Sequence, residues 1–79
     1  MAKRIPLTDM RNGEIATIVE VLCGRGVHNR LRALGLRPGV KVTRISGAFT
    51  HGPVVLQVGG AQTALGFGLS YKIIVEADR

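Results

Sequence analysis

Cys23, His28 and His51 carry the most distinctive potential chemistry in this chain, because thiolate and imidazole are the side chains that hold transition metals. Cys23 and His28 stand five residues apart across a glycine-rich turn, and His51 lies in a separate loop. A structural zinc site wants four ligands, commonly as C-x-x-C and H-x-x-x-H pairs, and nothing here has that spacing. What stays open is a weak surface site shared between two molecules. Cys23, at the end of an apolar run, also reads as a small core residue. No firm cofactor follows.

Catalysis needs convergent reactive groups. The five carboxylates (Asp9, Glu14, Glu20, Glu76 and Asp78) are scattered along the chain, with the last two in an apparent tail. There is no G-x-x-x-x-G-K-[ST] loop, and the glycines from Gly59 to Gly68 lack the lysine such a phosphate cradle requires. No catalytic residue emerges, and the expectation is a protein that is not an enzyme.

Arginines are the more informative set. The stretch RLRALGLRPG, Arg30 to Gly39, places Arg30, Arg32 and Arg37 around a Leu-Gly-Leu bend, with Arg25 just upstream. On a helical wheel, Val27, Leu31 and Leu34 share a narrow sector, while Asn29 and Arg32 point away and His28 and Arg30 flank them. Gly35 sits where a left-handed stop is wanted, and Leu36 and Leu31 are the pair whose apolar contact accompanies a Schellman ending. Pro38-Gly39 fits the centre of a type II turn. The leucines are therefore structural, and the arginines form an exposed basic patch. Such a patch is either a solvated face or a docking surface for an acidic partner.

Composition bears on that choice. The chain has 79 residues, with 11 Lys and Arg against 5 Asp and Glu, for a formal charge of +6. This favours an anionic partner, whether nucleic acid, a phospholipid surface or an acidic protein face. Against single-stranded nucleic acid stands the shortage of aromatic platforms, since only Phe49, Phe67 and Tyr71 are available. Phe67 and Tyr71 read as core or corner packing. Phe49, between Gly47 and Gly52, reads as an exposed loop contact. A single cysteine and the absence of an apolar stretch behind the basic start lead to the expectation of a cytoplasmic protein without a signal peptide. No apolar run approaches the roughly 18–20 residues of a membrane span.

The elements that must position these groups are mostly strands. A helical turn capped by Thr8 is predicted over Leu7 to Met10, closing at Asn12-Gly13. Glu14 to Leu22 is a first long strand, with Ile15, Val19 and Val21 on one face and Ile18 and Leu22 on the other. Val40 to Ser46 is a second, with a bulge near Thr43 to repair its facing. Pro53 to Val58 and Ala61 to Leu65 flank Gly59-Gly60, a two-residue hairpin of type I′. A tight helical turn over Gly66 to Tyr71 leads into a last strand, Lys72 to Glu76. The expected architecture is all-β: one domain over residues 1–79, a small barrel of about five strands with one short helix inserted after the first long strand. Its edge strands are sites where copies could associate.

The ordered set of Leu7, G-E-I-A-T-I-V from Gly13, L-R-A-L-G-L-R-P-G from Leu31, G-P-V-V-L-Q-V-G-G from Gly52 and a closing aliphatic strand resembles the ferrous iron transport protein A (FeoA) family over nearly the whole chain. Leu69-Ser70-Tyr71-Lys72 depart from the small or aliphatic residues often found before that last strand. The resemblance implies an SH3-like barrel similar to the C-terminal domain of iron-dependent repressors. It implies a cytoplasmic accessory that works by protein–protein contact with the cytoplasmic domain of a ferrous iron permease, a GTP-binding membrane protein. Such a protein is not membrane-inserted and sits peripherally at the inner face through its partner. It carries over no agreed metal ligands and firmly implies no cofactor, leaving open weak binding of Fe2+ or another divalent transition metal. On this reading Arg25, Arg30, Arg32, Arg37 and Phe49 would meet the partner. The alternatives are a basic small barrel that binds nucleic acid and a metal-responsive regulatory domain using Cys23, His28 and His51.

Overall fold

The computed structural model describes residues 2–47 and 52–78; Phe49 and His51 lie outside them. Six strands form one antiparallel sheet: β1 (Ala2–Pro6), β2 (Ile15–Val21), β3 (Lys41–Gly47), β4 (Val54–Val58), β5 (Ala61–Leu65) and β6 (Ile73–Asp78). A 3-10 turn, Leu7–Asp9, follows β1; the helix α1 (Arg25–Ala33) joins β2 to β3, and α2 (Phe67–Ser70) joins β5 to β6. The strand order is β1-β6-β2-β3-β4-β5. No β1–β5 pairing closes it among the described residues, so the rolled sheet keeps two free edges. The all-β expectation holds, with six strands in place of about five.

The extra strand is β1, which pairs along its length with β6 from Ala2↔Asp78 to Pro6↔Ile74. Its sequence, AKRIP, is short and basic and has no two-residue periodicity to announce it. Pairing with β6 is what makes it a strand. The same pairing draws Glu76 and Asp78 into β6 rather than a tail, and Arg4 Nε lies 3.8 Å from Glu76 Oε2. On β6, Ile73, Val75 and Ala77 alternate inward and are fully buried, as the period of two requires.

Facing within β2 differs from simple alternation. Its register against β6 slips between Ile18 and Glu20, leaving Val19 as an extra residue. That bulge shifts the phase, so Ala16, Ile18 and Val21 all turn inward while Ile15 and Leu22 are exposed. A second bulge occurs on β3 at Ile45, between Arg44 and Ser46, not at Thr43. The hairpin β4–β5 runs in unbroken register from Val58↔Ala61 to Val54↔Leu65. Only Gly59 of its two turn residues has positive φ, +60°, which is the sign pattern of a type II′ turn rather than I′. The 3-10 turn begins at Pro6 and has no side-chain cap, so Thr8 is not its cap.

α1 ends as its residue types require. Gly35 takes φ +84°, Leu36 N–H donates to Leu31 O at 2.8 Å, and Gly35 N–H donates to Arg32 O at 3.0 Å. These are the two bonds of a Schellman stop. Leu31 and Leu36 are buried, but Leu34 is 43 % exposed and does not share their sector. It is the C-cap residue, already off the helical path, and Leu36 takes the inward place instead. Gly39, at φ +95°, completes the type II turn, with Val40 N–H donating to Arg37 O at 3.2 Å.

Gly35 is open to a direct test. A Cβ there would meet only Val58 Cγ1, at an ordinary 3.5 Å, so the cost of Gly35→Ala is conformational rather than steric. The substitution lowers stability by about 1–2 kcal/mol in urea denaturation, the energy of forcing an L residue left-handed. A neutral result would mean that α1 ends differently.

Candidate functional site

α1 is a cationic helix with an apolar underside. Leu31 is fully buried, Val27 and Cys23 pack partly against the core, and Arg25, Arg30 and Arg32 are exposed, as is Arg37 just beyond the Schellman stop. The helix RGVHNRLRA contains no acidic residue, so no i,i+4 carboxylate neutralises its guanidinium groups. Among the described residues, none of the four guanidinium groups forms a hydrogen bond or ion pair. Arg30 and Arg32 occupy the last turn, where the negative end of the helix dipole favours cations, and this supports the helix without occupying their forks. Arg25, Arg30 and Arg32 lie on α1 and Arg37 on its exit, each of them exposed.

Of the metal candidates, Cys23 and His28 belong to the described residues and His51 does not. His28 Nε2 donates to Val21 O at 3.1 Å, which ties α1 to the end of β2. Cys23 is a half-buried free thiol on the rim of the core. Among the described residues, no three His, Cys, Asp or Glu side chains gather in one place. The five carboxylates lie on the 3-10 turn (Asp9), before and on β2 (Glu14, Glu20) and on β6 (Glu76, Asp78). Glu14, for example, accepts from Arg11 N–H at 2.9 Å within its own turn.

Tyr71 corrects the aromatic reading, because it is 48 % exposed rather than core. Its ring stacks on Phe67 with centroids 5.9 Å apart, and Lys72 Nζ lies 6.0 Å from the Tyr71 centroid. The pair sits at α2, remote in sequence from the arginines of α1.

One functional-looking residue escaped sequence reasoning. Arg44 is only 8 % exposed; its Nη1 donates to Thr8 O at 3.0 Å and to Met10 O, and its Nε is buried without a partner. It ties the 3-10 turn to β3. The available signal was phase: Val42 and Arg44 stand two apart on one strand, so an inward Val42 brings Arg44 inward too.

A rolled antiparallel sheet of short strands with a short helix between its second and third strands is the architecture of an SH3-like small barrel. Among solved structures, the chain is similar to a crystal structure of an iron uptake regulatory protein, FeoA, with a TM-score of 0.82 and 30 % identity over 92 % of this chain and 95 % of that one. It is also similar to the zinc-complexed FeoA of Stenotrophomonas maltophilia, a prokaryotic SH3 domain protein, with a TM-score of 0.74 and 24 % identity over 90 % and 88 % of the two chains. A manganese-dependent transcriptional repressor shares the fold alone, at a TM-score of 0.86 and 14 % identity, and this chain matches 44 % of its length.

The FeoA domain model matches residues 5–77. Fe(2+) transport protein A of Methanocaldococcus jannaschii is 34 % identical over 71 residues, 90 % of this chain and 84 % of that protein. The chain belongs to the FeoA family, a family of accessories to ferrous iron transport. Among the described residues, no helix is long and apolar enough to cross a membrane.

Proposed function

We propose that this protein is a non-enzymatic cytoplasmic adaptor of ferrous iron uptake. It docks on the cytoplasmic GTP-binding domain of a ferrous iron permease through α1 and the segment leaving it, with Phe49 as a further contact. The observation that carries this reading is the division of labour on α1. Leu31 and the Schellman residue Leu36 are sealed inward, while Arg25, Arg30, Arg32 and Arg37 stand exposed with no intramolecular partner among the described residues. Arginine forks left unpaired on a rigid element are well suited to carboxylates of a protein surface, because each can make a planar bidentate contact. The partner would hold the protein at the inner face of the membrane.

The test is binding of the isolated cytoplasmic domain of the permease to wild type and to an Arg30→Glu/Arg32→Glu/Arg37→Glu variant. The wild type binds with a salt-sensitive association rate, and charge reversal weakens binding by about tenfold or more. Equal affinities would remove the arginines from the mechanism. The charge of +6 also favours a second reading, binding of nucleic acid. That reading requires log K to fall by about 0.7–0.9 per phosphate contacted as log salt rises. A duplex or single strand that fails to bind near physiological salt eliminates it.

A further inference from the structure

The two free edges of the sheet are built differently. β1 carries Lys3, Arg4 and Pro6, the residues that discourage another strand from adding to an edge. β5 reads Ala61-Gln62-Thr63-Ala64-Leu65, with no charge, no proline and no register shift against β4. Ala61, Gln62 and Ala64 are exposed. In a hairpin closed by two residues, the pair flanking the turn is hydrogen-bonded, here Val58 with Ala61, and bonded pairs then alternate. Ala61, Thr63 and Leu65 therefore bond to β4, while the backbone N–H and C=O groups of Gln62 and Ala64 face outward. Among the described residues nothing pairs with that edge, and no turn or loop group bonds to Gln62 or Ala64.

The β4–β5 hairpin meets the exit of α1 at its turn end. The position of a Cβ on Gly35 is 3.5 Å from Cγ1 of Val58, the last residue of β4, which pairs with Ala61 of β5, and Arg32 and Arg37 flank Gly35 in sequence. We propose that β5 is a strand-addition site for an extended acidic segment of the protein partner. The backbone of that segment pairs with Gln62 and Ala64, and its carboxylates meet the arginines at the α1 exit. Main-chain pairing supplies affinity in this mode of recognition, and side chains supply choice. Charge decides against a second copy as the occupant, because pairing two β5 edges would join chains of +6 each. The inference rests on the docking reading above and specifies its geometry.

Amide hydrogen exchange of the full chain, alone and with the permease cytoplasmic domain, separates the two. The complex is expected to slow exchange at Gln62 and Ala64 selectively. Ala64→Pro removes one outward N–H without touching the β4 ladder, and it weakens binding by about tenfold while exchange in β2 and β6 stays unchanged. Gln62→Pro does the same, and the wild-type exchange pattern decides the matter even where a proline variant folds poorly. A complex that leaves Gln62 and Ala64 unprotected overturns the edge proposal and keeps the docking reading. Absence of any complex overturns both. Protection that appears without the domain and grows with the protein's own concentration shows pairing between copies and overturns the acidic partner.

Discussion

Leu31→Ala lowers the unfolding free energy by about 3–5 kcal/mol, whereas Leu34→Ala, three residues away, changes it by no more than about 0.5 kcal/mol. Leu31 is fully buried between α1 and the sheet, and Leu34 is 43 % exposed. Truncating the first removes transfer energy and leaves a cavity that a two-turn helix on a small core closes poorly. A chain of this length has a total stability of only about 4–12 kcal/mol, so the loss is a large fraction of it. Urea denaturation followed by circular dichroism reads both variants. The melting temperature of Leu31→Ala falls by roughly 12–24 °C for the first 3 kcal/mol lost. Equal effects at the two positions would mean that α1 does not seat on the sheet as described. The contrast also bears on docking, because an unseated helix no longer presents Arg30 and Arg32 on a fixed surface.

Arg44 and Gly47 form a coupled pair. Arg44→Ala costs about 2–4 kcal/mol, since it strips charge-assisted donors from the carbonyls of Thr8 and Met10 and empties the space of the buried stem. Gly47→Ala costs about 1–3 kcal/mol by overpacking. A Cβ at Gly47 would run into Nη2 and come within 3.1 Å of both Cζ and Nε of Arg44, a guanidinium already held by two carbonyls. The two losses are not additive. In an Arg44→Ala background, Gly47→Ala is nearly neutral, giving a coupling of about 1–3 kcal/mol in a double-mutant cycle. Additive losses would show that Gly47 is needed for some reason other than admitting the guanidinium. Loss of Arg44 also frees the 3-10 turn from β3, so amides of Met10 and Gly13 exchange faster in that variant.

Local rules were sufficient wherever a structure is closed by residues near in sequence. The Schellman stop at Gly35, the turn at Pro38-Gly39, the hairpin at Gly59-Gly60 and the strand Ala61–Leu65 depend on residue types a few positions apart, and each lies where its signal stands. The exposure of Arg30, Arg32 and Arg37 was legible for the same reason. Arg30, Arg32 and Arg37 are tied to the inward Leu31 and Leu36 by short-range geometry. Facing was less secure. A bulge adds one residue and inverts every side chain after it, so Val21 turned inward with Ile18 rather than with Ile15.

Composition, short-range spacing and turn chemistry determined by themselves that this is a small basic all-β protein with an arginine-bearing helix on its surface. Tertiary structure alone decided that AKRIP is a strand, that Arg44 is buried across the sheet, and that, among the described residues, the β5 edge has no partner strand. Each of those facts depends on partners tens of residues away. β1 needs β6 to pair with, Arg44 needs the carbonyls of Thr8 and Met10, and the openness of an edge depends on which strand fails to cover it. Such pairings are chosen by the energy of the whole sheet, to which no local window of sequence has access.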